Sequence, residues 1–259
     1  MTSNPDVTRR TADSPGSGGL AGRTAVVTGG SGGIGSAIVR ALARQGVTVA
    51  VADTDEQAEA LACEVGGFAV VGDLTDPEMP GRLVDQVTER TGSLDILVNA
   101  AGIQVRTAAV DISAEDWDRL VSINLTAAYR LVQAAAKPLA AIGGSIVNIV
   151  SLSADRAVPG IVPYGATKAA LLQLTKGLAV ELGPSGIRVN AVAPGYVTTA
   201  MTAAVLDQPD FRERVLTRVP LGRLADGGDI ADVVAFLASD AARYMTGTVL
   251  PVDGGYSIT

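Results

Sequence analysis

The chain reads as one α/β domain, a doubly wound, parallel, seven-stranded sheet with helices on both faces. Three observations lead there. From Gly22 onward, short β-branched runs alternate with Ala- and Leu-rich stretches of helical length, the rhythm of repeated βαβ units. Hydrophobic residues make up 47% of the 259 but aromatics only 3%, so Ala, Val, Leu and Ile must fill the core, as suits strands covered on both faces. A glycine-rich turn, Thr28-Gly29-Gly30-Ser31-Gly32-Gly33-Ile34-Gly35, joins the first strand to the first helix.

Taken in order, Thr24–Thr28 is the first strand and Ile34–Arg44 the helix that opens in the glycine turn. Thr48–Ala52, Phe68–Val71 and Leu94–Asn99 follow as strands, separated by helices over Gln57–Val65 and Pro80–Thr91. A long, bent helix is expected over Ala114–Pro138. Ile146–Val150, Ile187–Val192 and Thr248–Val252 complete the sheet, with helices over Tyr164–Leu182 and Asp229–Ser239. Right-handed crossovers place such strands in one parallel sheet. Residues 1–19, rich in Ser, Thr, Asp, Pro and Gly without apolar periodicity, read as a flexible arm, leaving 20–259 as the single domain. Thr202–Arg218 is expected to form a mobile lid.

Composition removes whole classes of chemistry. With no histidine, the chain cannot supply a Ser-His-Asp triad, an imidazole shuttle or a histidine-ligated metal, and no metal is expected. The single cysteine, Cys63, cannot form an internal disulfide and is expected to be a small buried hydrophobe. A net charge of −7 argues against nucleic acid as a partner. No apolar run reaches membrane-spanning length and Arg9-Arg10 precede no apolar signal region, so no membrane partner and a cytoplasmic location are expected.

The positive evidence concerns a nucleotide and a proton. Glycines 29, 33 and 35 allow a tight turn and close approach of backbone amides to a pyrophosphate, with Ser31 and Ile34 in the same loop. Asp53 follows about twenty residues later at the end of the second strand, where a carboxylate accepts hydrogen bonds from ribose hydroxyls. The loop holds no Lys or Arg to grip a 2′-phosphate, so NAD is the expected cofactor. Tyr164 and Lys168, four apart on a helix, share one face. A cation beside the phenol is expected to lower its pKa from about 10 and let it serve as acid or base. Arg106, just beyond the cofactor-lining turn, can pair with a substrate carboxylate.

With these features the chain closely resembles the classical short-chain dehydrogenase/reductase family, from about Gly22 to the C-terminus. The glycine motif, Asp73-Leu74, Asn99-Ala100-Ala101-Gly102, Asn124, Ser151, Tyr164-Gly165-Ala166-Thr167-Lys168 and Pro194-Gly195 occur in the family's order. The resemblance implies that Asp73 binds the adenine amino group and that Asn99, Ala100, Ala101 and Gly102 line the adenosine side. Pro194, Gly195, Val197 and Thr199 would hold the nicotinamide carboxamide. In the implied mechanism Tyr164 exchanges the proton and Ser151 orients the substrate oxygen. Lys168 binds the nicotinamide ribose, and Asn124 holds a water leading from Lys168 to solvent. Family spacing, thirteen residues before the tyrosine, selects Ser151 over Ser153, which is left as a substrate contact beside Arg106. The family usually forms tetramers or dimers. Residues 102–106 and 194–201 look similar to gluconate 5-dehydrogenases and 2-deoxy-gluconate 3-dehydrogenases, so a sugar acid or polyol is the expected alcohol or ketone substrate. A ketoreductase for acyl chains on coenzyme A or acyl carrier protein, and a non-catalytic NAD-binding regulatory protein, are the alternatives.

Overall fold

In a computed structural model, which describes residues 19–259, seven parallel strands are ordered β3-β2-β1-β4-β5-β6-β7. They are β1 (Thr24–Thr28), β2 (Thr48–Asp53), β3 (Phe68–Val71), β4 (Ile96–Asn99), β5 (Ser145–Ile149), β6 (Arg188–Pro194) and β7 (Val249–Val252). The arm expected over residues 1–19 lies outside the described residues except for Gly19. Helices α1 (Gly33–Arg44), α2 (Gln57–Val65) and α9 (Gly227–Ala238) carry the core on one face. Helices α3 (Met79–Thr91), α5 (Ala127–Ile142) and α6 (Val162–Leu182) carry it on the other.

The side-chain alternation of a strand explains both layers. Along β1, Ala25 and Val27 enter one core while Val26 enters the other; along β2, Val49 and Val51 oppose Ala50 and Ala52. Both faces are apolar because both are covered. The chain runs outward from β1 to β3, then returns to β4 on the opposite side of β1. This reversal opens a crevice beyond the carboxyl ends of β1 and β4, where open α/β sheets bind ligands.

Several expectations need correction. The long helix is interrupted: α4 (Ala114–Val121) passes through a π turn (Ser122–Thr126) into α5, which continues beyond Pro138 to Ile142. The irregularity therefore sits at Asn124, and the proline is accommodated within the helix. The last helix starts at Gly227, because Asp226 caps it by accepting from Gly228 N–H at 2.7 Å and Asp229 N–H at 3.2 Å. The expected lid forms two short helices, α7 (Ala200–Leu206) and α8 (Pro209–Leu216). Cys63 is exposed, because Ala58, Leu61 and Ala62 take the core side of α2.

Candidate active site

A groove of about 460 Å³ follows the carboxyl ends of β1, β2 and β4. It is lined by Gly29, Ser31, Gly33, Ile34 and Gly35 from the glycine loop, by Asp53 and by Asp73 and Leu74. Ala100, Ala101 and Gly102 close its other side, with Thr199 at the far end. Close approach explains the glycines. A Cβ on Gly35 would lie 2.0 Å from the Gly29 carbonyl oxygen, and one on Gly29, whose φ is +62°, would lie 2.8 Å from Ala101 Cα. A Cβ on Gly33 would lie 2.7 Å from Thr199 Cγ2. The first two are backbone approaches and the third is to a side chain, and together they fit a dinucleotide laid across the amino end of α1.

Asp53 is held in place at the groove wall. One carboxylate oxygen accepts from Ser31 N–H at 3.0 Å and Ser31 Oγ–H at 2.5 Å, and the other accepts from Thr54 N–H at 2.8 Å. Asp55 and Asp73 also line the groove, and among the described residues no Lys or Arg does. Asn99 departs from expectation. Its side chain is buried in the sheet and donates to Asn148 Oδ1 at 2.8 Å, so the lining starts at Ala100.

Beyond the groove lies a second pocket, of about 110 Å³. Ser151, Tyr164 and Lys168 line it together with Ser153, Arg106, Pro194, Gly195, Val197 and Thr199. Ser151 follows β5 in extended backbone and caps the short 3₁₀ turn Leu152–Ala154. Tyr164 and Lys168 come from the first turns of α6 and are both buried. The Lys168 ammonium donates to the Ile149 carbonyl at 2.9 Å and sits 5.8 Å from the Tyr164 ring centre.

Burial governs both titrations. Desolvation pushes the Tyr164 phenol up to about 12, with a hydrogen bond from Ser151 pulling the other way. Desolvation also brings Lys168 down to about 8. The expected depression of the tyrosine pKa by its lysine is therefore corrected: in the protein alone, removing the phenolate from water outweighs its neighbours. At neutral pH the pocket presents a protonated tyrosine, a proton donor.

Asn124 stands behind this wall, buried in the π turn. Its Oδ1 accepts from Ile103 N–H at 2.8 Å, and its amide donates to the Ile103 carbonyl at 3.0 Å and to Thr167 Oγ1 at 3.1 Å. Both amide hydrogens are thus committed, so a water held by this side chain could only donate to Oδ1. Asn124 ties the Gly102–Ile103 edge of the groove to the Tyr164-bearing helix.

Sequence reasoning missed Val158 and Ile161 in the pocket and Ile123 in the groove; Gln104, Tyr196 and Met201 entered it only within the stretches similar to gluconate dehydrogenases, and Val205 only within the expected lid. Only closeness to motif residues hinted at the first three. Tyr196 packs edge-on against Phe211 and Tyr256, with centroids at 5.8 and 5.2 Å, which fixes α8 against the pocket. The Arg106 guanidinium, in the pocket lining, lies 6.0 Å from the Phe211 ring centre.

A sheet with this switch point, a glycine-lined groove and a buried tyrosine–lysine pair define a nucleotide-dependent oxidoreductase. A family model described as enoyl-(acyl carrier protein) reductase matches residues 29–257. Relatives include the 3-oxoacyl-(acyl-carrier-protein) reductase of Staphylococcus aureus, 40% identical over 90% of this chain and 97% of its own. The gluconate 5-dehydrogenase of Gluconobacter oxydans is 38% identical over 93% and 96%. The solved gluconate 5-dehydrogenase of Burkholderia cenocepacia J2315, in complex with NADP and tartrate, is 35% identical with a TM-score of 0.90, covering 93% of this chain and 98% of that one. The chain belongs to the short-chain dehydrogenase/reductase family and is an oxidoreductase acting on CH–OH groups.

Proposed function

We propose that the chain is an NAD(H)-dependent oxidoreductase that interconverts a secondary alcohol and a ketone, with a sugar acid or polyol as substrate. One observation carries the reading: Ser151, Tyr164 and Lys168 converge in a pocket that adjoins the groove walled by Asp53. A nicotinamide bound there supplies the hydride donor or acceptor. In the reducing direction Tyr164 gives its phenolic proton to the substrate oxygen, and Ser151 holds that oxygen by a hydrogen bond. Lys168, anchored on the Ile149 carbonyl, keeps its other N–H bonds for the ribose hydroxyls of the cofactor. Asn124 holds Gly102–Ile103 and Thr167 in register, which keeps the groove edge and the tyrosine helix at a fixed separation. Oxidation runs the same proton in reverse.

The preference for NAD rests on charge. A 2′-phosphate about 4 Å from the Asp53 carboxylate meets repulsion of roughly 4 kcal/mol per charge pair at an effective dielectric of about 20, on the order of a thousandfold in affinity. Among the described residues no cation in the groove lining offsets it. The Burkholderia relative was solved with NADP, so the cofactor is a point on which this chain is expected to diverge. Steady-state assays with both cofactors test it: a lower KM for NADPH than for NADH overturns the NAD reading.

The sugar-acid reading rests on Arg106 in the pocket lining and on the gluconate dehydrogenases among the relatives. The Staphylococcus relative favours an acyl-thioester ketoreductase as the second reading. A substrate panel of sugar acids, polyols, cyclic alcohols and acyl thioesters separates them, and activity confined to thioesters overturns the first. We also propose residues 20–259 as the catalytic domain, a cytoplasmic location and a homotetramer. The homotetramer is carried by the family resemblance; Trp117 and Tyr129 on α4 and α5, and Val162 and Val180 on α6, are exposed apolar residues available to such contacts. Among the described residues no helix is long and apolar enough to cross a membrane.

A further inference from the structure

Ser153 was expected to touch substrate, yet its hydrogen bonds go to the neighbouring serine. Its backbone N–H donates to Ser151 Oγ at 3.1 Å, and its hydroxyl donates to the same oxygen at 2.9 Å. A serine hydroxyl has two lone pairs and one proton. Both lone pairs of Ser151 are therefore occupied from one side, leaving only its proton to be offered to the pocket. Ser153 is 7% exposed, which limits exchange of this bond for one to water. The spacing is also built into the helix opposite: a Cβ on Gly165, the residue after Tyr164, would lie 2.9 Å from the Ser153 carbonyl oxygen. Gly165 thus lets the turn bearing Ser153 seat directly on the turn bearing Tyr164.

We propose that Ser153 is a positioning residue that fixes the polarity of Ser151, making its one proton an obligatory donor, to Tyr164 before substrate binds and to the substrate oxygen when substrate is bound. Without the Ser153 hydroxyl, one Ser151 lone pair becomes available to accept the Tyr164 proton. The tyrosine then spends its proton on Ser151 instead of on substrate, and the phenol is stabilised over the phenolate. The inference rests on the roles proposed for Ser151 and Tyr164.

The test is Ser153→Ala beside Ser151→Ala, with NADH binding as the folding control. For Ser153→Ala, kcat is expected to fall about tenfold, the yield of one well-placed hydrogen bond. Substrate KM and NADH affinity stay within about twofold of wild type. Ser153→Cys, which fills the same space with a weak donor, is expected to show the same defect. A higher substrate KM with kcat retained makes Ser153 a substrate contact and overturns the proposal. So does full recovery in Ser153→Cys, which would make the defect one of packing. If Ser151→Ala itself retains turnover, the reading of the site fails. If Ser151→Ala is inactive and Ser153→Ala is normal, only this inference fails.

Discussion

Tyr164 and Lys168 are the two residues whose chemistry most depends on being buried, and their titrations leave opposite marks on stability. Lys168 is near 8 in the folded chain against 10.5 for an ordinary lysine, so the unfolded chain binds the extra proton between those values. Stability from this residue therefore rises as pH climbs from about 8 toward 10.5, and below 8 the buried ammonium costs its full desolvation. Tyr164 is near 12 against 10, so its folded state keeps a proton that the unfolded state loses, and stability falls as pH passes 10. Denaturant titrations of wild type and Lys168→Met at pH 7.5 and 9.5 check the first. The wild type is expected to gain on the variant by on the order of 1–3 kcal/mol across that interval; parallel behaviour contradicts it. Asp53 carries the second prediction at this scale. Asp53→Ala is expected to narrow the NAD-over-NADP preference by one to three orders of magnitude, measured as the ratio of kcat/KM values, by removing a charge of about 4 kcal/mol in effect.

At the scale of elements, the glycine loop and the π turn do the positioning. Gly35 faces the Gly29 carbonyl oxygen so closely that no side chain can be admitted without moving β1 away from α1. Gly35→Ala is expected to weaken NADH binding at least tenfold and to lower the midpoint of thermal unfolding; titration of intrinsic fluorescence with NADH reads the first effect. The π turn aims Asn124 across the groove wall, where it satisfies both polar groups of Ile103. Asn124→Ala leaves these groups unpaired by that side chain, at an expected cost of about 2–4 kcal/mol. Its kcat is expected to drop while Asp53-dependent cofactor preference stays as it was. Chemical denaturation and steady-state kinetics with both cofactors check the pair of effects.

For the whole molecule, the order of strands and helices was legible because both periods are strong: β-branched runs such as Thr24–Thr28 stop at glycine, and helices such as Gln57–Val65 end at Gly66. The residues lining the groove and the pocket were legible where the expected chemistry demands a type, as at Gly35, Asp53 and Tyr164. What the sequence hid depends on long-range packing. Burial sets the direction of the Tyr164 shift, and only the packed structure reveals it. Asn99 looks like a groove residue until its partner Asn148, on the neighbouring strand, draws it into the sheet. The apolar pocket wall from Val158, Ile161 and Val205 has no motif, because any residue of suitable size fills such a wall.

The whole assembly is proposed to deliver one proton through Tyr164 to a substrate oxygen. Its most direct test is Tyr164→Phe, which removes the phenolic oxygen and keeps the ring, assayed by NADH binding and by turnover on the best substrate of the panel. The account predicts NADH affinity within about twofold of wild type and kcat lower by at least about a thousandfold, the reach of general acid–base catalysis. Turnover retained within tenfold, with NADH still bound, would contradict it.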